Sequence, residues 1–278
     1  VLFRSRFVEA RFGTKETPLT NSNITPWRRA VCGDLPSAFD FATPHEATVK
    51  LPNTAAYIPP DNERHASYIP SPPAVQTMPV QEPGTRPARP IPYRVNITAS
   101  ADLPAEVFTL KLINTGSRTA VFHVRSANPL QSPRSYTVGP KEELADTWQF
   151  ATTGLAPYDL SVYGPNGFFR HYRGAARDLA AIHLESGVIY DVPSKGVVVS
   201  VKNAGSTICN VQLKNVYDRT ASTHSLHPGA VFETFVSLTK HAGWYDFIFT
   251  VESDITFQQQ IAGHLEANEP STTDPAIS

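Results

Sequence analysis

The fold follows most directly from the stretch Tyr158-Asp159-Leu160-Ser161-Val162, Asn166-Gly167 and Phe168-Phe169-Arg170-His171-Tyr172. Apolar side chains occupy every second position from Tyr158 to Val162, and a period of two places them on one face of a strand. Asn-Gly is the residue pair that most readily takes the positive φ angles of a tight hairpin turn. The stretch therefore predicts a β-hairpin whose second strand begins at Phe168.

The same alternation occurs at Phe108-Thr109-Leu110-Lys111-Leu112, and several landmarks recur at nearly one spacing. They are Asn114-Thr115-Gly116-Ser117 with Asn203-Ala204-Gly205-Ser206 and Gly174 with Gly263, 89 residues apart, Pro140 with Pro228, 88 apart, and Tyr158-Asp159 with Tyr245-Asp246, 87 apart. A period of this length exceeds that of solenoid repeats. It predicts an all-β chain with tandem immunoglobulin-like β-sandwiches of six or seven short strands each.

The landmarks also predict local structure. Asn-x-Gly-Ser between strands indicates a turn in which Gly or Asn takes a positive φ. Tyr158 and Tyr245 begin late strands, and two interpretations stay open for them. Each hydroxyl bonds a backbone carbonyl across a corner of the sandwich, or each ring is simply a large core residue.

Bulk composition bounds the class of protein. The chain has 278 residues, enough for about two domains. Its 24 basic and 25 acidic side chains give a net charge of −1, so no overall field favours nucleic acid. No apolar run reaches the roughly 20 residues of a membrane span. The two cysteines, Cys32 and Cys209, fall in different predicted domains, as two free thiols or as one disulfide.

Outside the predicted sandwiches the chain changes character. Residues 6–13 predict the end of a helix that stops at Gly13. Eleven prolines lie between Pro52 and Pro92, and because proline fixes φ and lacks a backbone donor, an extended connector is expected. Residues 267–278 are polar and predict a disordered tail.

The search for reactive groups yields no catalytic, cofactor-binding or metal-ligating residues. The nine histidines are scattered, and His224 and His227 lie in a predicted strand or turn without a neighbouring carboxylate. No Gly-x-Ser-x-Gly motif and no glycine-rich phosphate loop is present. These patterns predict that any function of the chain itself is binding or structural.

Two groups of residues leave alternatives open. Arg28-Arg29 beside Trp27 would suit a phosphate ligand, or the arginines pair with Asp34 or Asp40 while the indole packs. Phe168-Phe169 and Trp244-Tyr245 are adjacent strand residues, so one of each pair points outward. That aromatic, near Arg170 or Arg173, contacts a choline headgroup or lipid surface, or it packs on the neighbouring domain.

Three stretches carry a resemblance to a known family: residues 23–41 with Pro26-Trp27-Arg28-Arg29, residues 81–93 with the Pro-rich connector, and residues 162–170. Together they resemble bacterial phosphocholine-specific phospholipases C, haemolytic and non-haemolytic, over residues 6–265. Pro36 departs from the family pattern, in which a hydroxyl residue is more usual. This departure affects only the local turn.

The resemblance implies a domain order for the chain: residues 1–51 as the remnant of an α/β, alkaline-phosphatase-like catalytic domain, 52–93 as the connector, 94–176 and 186–266 as two β-sandwich domains, and 267–278 as the tail. It implies a bacterial, secreted or periplasmic hydrolase of lipid catabolism. The parent would act on phosphatidylcholine or sphingomyelin and release phosphocholine. Nucleophile and divalent metal would belong to the upstream domain, against which this fragment packs. The alternative from the residues alone is a non-catalytic tandem sandwich that acts as a binding or adhesion module.

Overall fold

The computed structural model describes residues 2–33, 35, 74–76, 84–85, 92–102, 104–150, 157–174, 183–267 and 269–275. The chain divides into two compact units, Val1–Thr25 with Cys32–Val80 and Pro26–Val31 with Gln81–Ser278. The first contains helix α1 (Leu2–Phe12). As predicted, α1 ends before Gly13, whose backbone N–H donates to the Glu9 carbonyl at 2.9 Å. Most of the predicted Pro-rich connector lies outside the described residues.

In its described residues the second unit contains helix α2 (Pro26–Val31), a single 3-10 turn at Thr239–His241 and fourteen strands. The first seven strands are β1 (Val95–Asp102), β2 (Val107–Asn114), β3 (Ala120–Ser126), β4 (Arg134–Val138), β5 (Glu142–Gln149), β6 (Tyr158–Tyr163) and β7 (Phe169–Gly174). The second seven are β8 (Leu184–Asp191), β9 (Gly196–Asn203), β10 (Cys209–Asn215), β11 (Thr220–Leu226), β12 (Val231–Ser237), β13 (Trp244–Val251) and β14 (Asp254–His264).

Each set of seven strands forms a sandwich. In the first, the sheet β1-β2-β5 faces β4-β3-β6-β7 across a core that includes Leu110, Phe122 and Trp148. In the second, β8-β9-β12 faces β11-β10-β13-β14 across a core that includes Val199, Phe247 and Phe249. The alternation along each strand produces these cores, since inward positions are apolar. The predicted all-β sandwich fold is confirmed. One pairing differs from constant-type immunoglobulin domains: there the fourth strand pairs with the fifth, whereas here β4 pairs with β3.

The two sandwiches share one sheet. Strand β7 pairs antiparallel with β14, so that Phe169–Arg173 lie opposite Gln258–Ala262. The two four-stranded sheets therefore form a continuous eight-stranded sheet in the order β11-β10-β13-β14-β7-β6-β3-β4. This order is symmetric about the β7–β14 pair, because corresponding strands of the two sandwiches lie at equal distances from it.

The repeated asparagines have a different role from the one predicted. Asn114 and Asn203 end strands β2 and β9 and are fully buried. The Asn114 side-chain amide donates to the Arg118, Val138 and Gly139 carbonyls at 2.7–3.1 Å, and its oxygen accepts the Gly116 N–H. Asn203 bonds Thr207, Leu226 and Gly205 in the same way. The prediction of a positive φ at these turns is wrong, because the amide itself satisfies the turn's backbone groups.

The repeated Tyr and Gly form one packing unit in each sandwich. Tyr158 lies opposite Gly174 and Tyr245 opposite Gly263 on neighbouring strands. A Cβ on Gly174 would lie 2.2 Å from the Tyr158 hydroxyl, and one on Gly263 would lie 2.5 Å from that of Tyr245. Tyr158 stacks on Phe108 with ring centroids 4.3 Å apart, and Tyr245 bonds the Tyr190 hydroxyl at 2.8 Å. Of the two interpretations, the structure supports the core residue.

The predicted disorder of the tail does not hold for residues 269–275. The Thr272 carbonyl accepts the indole N–H of Trp244, and the Asp274 carboxylate accepts the Tyr217 hydroxyl at 2.7 Å. These polar tail groups find partners on the second sandwich, which composition alone does not reveal. Both cysteines are free thiols, with Cys209 buried and Cys32 half-buried.

Candidate functional site

The histidines and acidic residues do not assemble into a metal centre in the described part of the chain. There, no three His, Cys, Asp or Glu side chains come together as ligands would. His224 contacts the Ser222 hydroxyl and stacks on Phe232, while His227 lies in the turn before β12. The described residues thus do not fit the divalent metal that the resemblance assigns to the parent. Nor does any described helix have the length and apolar character of a membrane span.

The Pro26-Trp27-Arg28-Arg29 motif forms α2, with proline at the first helical position, where its missing N–H costs nothing. The Trp27 indole N–H donates to the Thr137 hydroxyl of β4 at 3.0 Å. The rest of the indole is open, since 55% of Trp27 is exposed. Asp34 and Asp40, the acidic partners considered for the arginines, lie outside the described residues.

The aromatic pairs divide between core and inter-sandwich contacts. Phe168 and Tyr245 point inward, and the Arg170 guanidinium carbon lies 4.1 Å from the Phe168 ring centroid. Trp244 points outward, and a Cβ on Gly167 would lie 2.5 Å from its ring. Because Gly167 belongs to the hairpin turn of the first sandwich, the domain-packing interpretation holds for Trp244.

That hairpin turn also brings together the end of β14 and the first sandwich. Asn166 and Gly167 have φ of 54° and 72°, as the sequence predicted for a tight hairpin. The Asn166 amide donates to Glu266 Oε1 at 2.8 Å, and His264 Nδ1 lies 3.1 Å from the same oxygen. Glu266 Oε2 is buried and has no hydrogen-bond partner among the described residues.

These contacts border a cleft of about 650 Å³ that we call the inter-sandwich cleft. The beginning of β1 and the end of β8 line it, together with the β6–β7 turn, β7 and the end of β14. Its charged and aromatic lining consists of Tyr93, Arg94, Phe168, Arg170, Tyr190, His264 and Glu266. It is a concave site with a few polar groups in an otherwise apolar wall, as ligand sites usually are.

Arg170 departs from the symmetry of the sheet at this cleft. The residue 89 positions later on β14 is Gln259, which donates to the Leu184 carbonyl at 3.0 Å and accepts from Ser186 at 2.6 Å. Gln259 thereby ties β8 to the sheet. Arg170 instead donates to the Phe169 and Ala262 carbonyls at 2.7 and 3.0 Å. In the described part of the chain it pairs with no carboxylate, although only 3% of it is exposed.

The charge of Arg170 acts on the tyrosines around it. Burial raises the pKa of Tyr172 to about 12, and the positive charge of Arg170 opposes that rise. Burial also raises the pKa of Tyr190, with a further rise from Tyr245, and Arg170 again opposes it. Both tyrosines stay neutral hydrogen-bonding groups at physiological pH, and a guanidinium lies close to them.

The sequence did not predict this cleft. Asn166-Gly167 indicated a turn, but nothing showed that its amide would reach Glu266. One signal was available, since alignment of the repeats by their landmarks pairs Arg170 with Gln259. A charge at only one of two corresponding core positions marks a place where the halves differ in role.

Comparison with known proteins shows which sequences the chain is similar to. The family model described as bacterial phospholipase C, C-terminal domain, matches residues 87–175 and again 183–264. The "Non-hemolytic phospholipase C" of Burkholderia pseudomallei (strain K96243) is 40% identical over 276 residues, which are 98% of this chain and 39% of that protein. The protein of the same description from Pseudomonas aeruginosa is 38% identical over 98% of this chain and 40% of its own length.

The "Hemolytic phospholipase C" of Pseudomonas aeruginosa is 32% identical over 98% of this chain and 41% of that protein. The chain therefore spans about two fifths of these relatives and matches their C-terminal part. Among solved structures, a chain of a bacterial ice-binding adhesin aligns at 9% identity over 63% of this chain and 65% of that one. Its TM-score is 0.21, too low to support any argument.

Two matches to the C-terminal domain model and relatives of up to 40% identity lead to one conclusion: the chain belongs to the bacterial phospholipase C family.

Proposed function

We propose that the chain is the C-terminal portion of a secreted phospholipase C that hydrolyses phosphatidylcholine or sphingomyelin to phosphocholine. The observation that carries this proposal is the alignment of 98% of the chain with the C-terminal part of three phospholipases C. The nucleophile and metal ligands of the parent belong, in this proposal, to an upstream alkaline-phosphatase-like domain. The two sandwiches are then a non-catalytic tandem repeat.

The chemistry of the described residues supports that division of labour. Hydrolysis of a phosphodiester requires an activated nucleophile and fixed positive charge against the phosphate oxygens. Polar side chains of the two sandwiches have structural partners instead: Asn114 and Asn203 bond their turns, and His171 pairs with Asp159 at 2.8 Å.

Exposed aromatic residues near the N-terminus support packing against the upstream domain. Phe12 of α1 is 67% exposed and Trp27 of α2 is 55% exposed. Covering a large apolar side chain with another protein surface removes it from water, which is energetically favourable. We propose that both residues are covered by the catalytic domain of the parent.

A domain exchange tests the proposed function. This chain would replace the matching C-terminal part of the Burkholderia pseudomallei relative, and hydrolysis of p-nitrophenylphosphorylcholine and of phosphatidylcholine and sphingomyelin vesicles would be measured. The controls are this chain alone and the relative truncated before its matching part. We expect phosphocholine release from the exchanged enzyme and none from this chain alone.

Two outcomes would contradict the proposal. Turnover by the chain alone would show that it contains an active site. An exchanged enzyme that folds but releases no phosphocholine, beside an active unmodified relative, would favour the adhesion or binding module instead.

A further inference from the structure

The two sandwiches differ at the side where both sheets end in an edge strand. In the described residues these edge strands are β4 and β5 in the first sandwich and β11 and β12 in the second. Side chains from both sheets close the first sandwich there. Arg134 of β4 donates to the Asp146 carboxylate of β5 at 2.8 Å, and its guanidinium carbon lies 4.0 Å from the centroid of the Trp148 ring. The Tyr136 hydroxyl donates to the same carboxylate at 2.6 Å.

Strand pairing identifies the corresponding residues of the second sandwich. Val124 lies opposite Arg134, and Leu213, 89 residues after Val124, lies opposite Ser222. The pairs between β2 and β5 and between β9 and β12 agree with this spacing. The counterparts, each 88 residues later, are Ser222 for Arg134, Thr234 for Asp146 and Val236 for Trp148. All three are smaller or uncharged, so they cannot close the second sandwich as the first is closed.

A pocket of about 440 Å³ lies at this position, and we call it the β11–β12 pocket. Its apolar floor is formed by Leu213, Val236 and Phe247, which occupy inward positions of their strands. Hydroxyl and amide groups line the rest, from Asn215, Thr220, Ser222, Thr234, Ser237 and Thr239. The volume lies within the usual range of small-molecule sites.

The charges of the pocket favour a neutral ligand. Asp218 and Lys240 are its two charged lining residues, and their charges cancel. The Asp218 carboxylate already accepts a bond from Asn215 at 2.8 Å and contacts His241 Nε2 at 2.9 Å. A single lysine remains, whereas strong recognition of a phosphate or carboxylate generally uses an arginine fork or several donors around the anion.

The Thr234 hydroxyl indicates a polar ligand. Thr234 occupies an inward position of β12 and is half-buried. In the part of the chain that the structure describes, its hydroxyl makes no hydrogen bond. A polar group that points between two sheets without a protein partner needs one from outside the protein. A lipid tail in the pocket would leave this hydroxyl unsatisfied, which costs free energy.

We propose that the β11–β12 pocket binds one pyranose ring of a neutral sugar. Hydroxyl groups both donate and accept hydrogen bonds, so a wall of serine and threonine hydroxyls matches the hydroxyls around such a ring. The C–H face of the ring covers the apolar floor and removes it from water. The ring enters as a free monosaccharide or as the terminal unit of a glycan. This site is separate from the proposed hydrolysis and does not depend on it.

Saturation-transfer difference nuclear magnetic resonance on the whole chain tests the pocket. The probes are the methyl pyranosides of glucose, galactose, mannose and N-acetylglucosamine, with glucitol as an open-chain polyol. We expect at least one pyranoside to bind saturably. Glucitol should bind roughly tenfold more weakly or not at all, because it loses more conformational freedom on binding than a ring does.

Variants that fill the pocket should remove binding. Ser222→Arg, Thr234→Asp and Val236→Trp together copy the closed end of the first sandwich, and we expect no binding by this triple variant. If it does not fold, Ser222→Arg alone carries the test, since a long side chain at this exposed strand position covers the pocket and should weaken binding roughly tenfold or more. Thr234→Val removes only the hydroxyl and should weaken binding roughly fivefold, the effect of one neutral hydrogen bond.

Thr223→Arg is the matched control. Thr223 is the exposed neighbour of Ser222 on β11, faces the other side of the strand and does not line the pocket. It adds the same charge and should bind like the wild type, with circular dichroism and melting temperature verifying the fold of every variant. The proposal is refuted if no pyranoside binds, if glucitol binds equally well, if folded Ser222→Arg binds like the wild type, or if Thr223→Arg weakens binding as much.

Native gel electrophoresis in the presence of dextran, mannan, galactomannan or glycol chitin separates the two sources. Retardation that Ser222→Arg abolishes identifies the terminal unit of a glycan. Binding of a methyl pyranoside without retardation identifies a free monosaccharide. Both results support the site. None of these measurements involves phospholipid hydrolysis, so failure of this inference is distinguishable from failure of the domain exchange.

Discussion

Asn114 and Asn203 show how one buried side chain determines a loop. Each amide donates to a carbonyl of its own turn and to a second segment, and its oxygen accepts an N–H of the turn, so its removal leaves several backbone groups without partners. We expect Asn114→Ala and Asn203→Ala each to lower the free energy of unfolding by about 3 kcal/mol. Asn210→Ala, at an exposed strand position, should cost less than about 0.5 kcal/mol. Urea unfolding measures all three, and equal effects at Asn114 and Asn210 would contradict the capping role.

The Tyr–Gly contacts make a second prediction for single residues. Gly174→Ala places a methyl group against the buried Tyr158, which cannot swing away, and should destabilise by about 2 kcal/mol. Gly187→Ala is the control, since its Cβ would meet nothing within 4 Å and its φ is not positive. It should be neutral or stabilise by a few tenths of a kcal/mol, about the entropy that glycine loses. Thermal melts compare the two, and a tolerated Gly174→Ala would show that the ring is mobile.

Asp146 gives a pH-dependent prediction. Partial burial alone would raise the pKa of its carboxyl, but bonds from Tyr136, Arg134 and the Thr147 backbone outweigh burial and hold the pKa below its ordinary value. The ionised Asp146 carboxylate therefore stabilises the fold at pH values above the ordinary carboxyl pKa of about 3.9. This contribution is lost as the pH falls through the lower pKa that the carboxyl has in the folded protein. Since the pair with Arg134 is over one third exposed, we expect Asp146→Asn to cost at most about 1 kcal/mol at neutral pH. The difference in urea midpoint between the two proteins should shrink steadily as the pH is lowered from about 7 to about 2. If the difference in midpoint does not change with pH, the effect of Asp146→Asn comes from packing and not from the charge of the carboxylate.

At the scale of elements, the β6–β7 hairpin both turns the chain and docks on the second sandwich. Gly167→Ala would strain a positive φ and also bring a methyl group against Trp244, so we expect a loss of about 3 kcal/mol. Gly229→Ala strains a similar φ of 79° but meets nothing within 4 Å, and should cost about 1 kcal/mol. The difference between the two variants isolates the contact between sandwiches. Equal losses in urea unfolding would show that Trp244 moves aside.

The strands could be predicted from the sequence because one face of each is buried. Apolar residues therefore occupy every second position, as in Tyr158–Val162 and Phe108–Leu112. The hairpin turn could be predicted because Asn-Gly readily takes the two positive φ angles of a tight hairpin. Three features could not be. The Asn-x-Gly-Ser turns were predicted to depend on a positive backbone φ, whereas a side-chain amide stabilises them. The partners of the tail lie far away in the sequence. The cleft lies beside the pairing of β7 with β14, which no local pattern indicates.

At the scale of the whole molecule, the shared sheet couples the two sandwiches. Five residue pairs link β7 to β14, and the Asn166–Glu266 and Gly167–Trp244 contacts add to them. We expect one cooperative unfolding transition, with Asn114→Ala and Asn203→Ala each shifting the whole of it. Far-ultraviolet circular dichroism and tryptophan fluorescence should give the same midpoint. Two separate transitions would contradict the coupling.

The β7–β14 pair has a consequence for how such a protein diversifies. In a homodimer with a twofold axis, both subunits have the same sequence, so a pocket formed in one subunit is also formed in the other. Here the two halves are joined in one polypeptide, so a substitution in one half leaves the other unchanged. The chain keeps glutamine on β14 as a structural tie and places arginine on β7 beside a pocket. Covalent linkage thus lets a nearly symmetric framework place a buried charge beside a cleft in one half only, without losing the strand pair that joins the two halves.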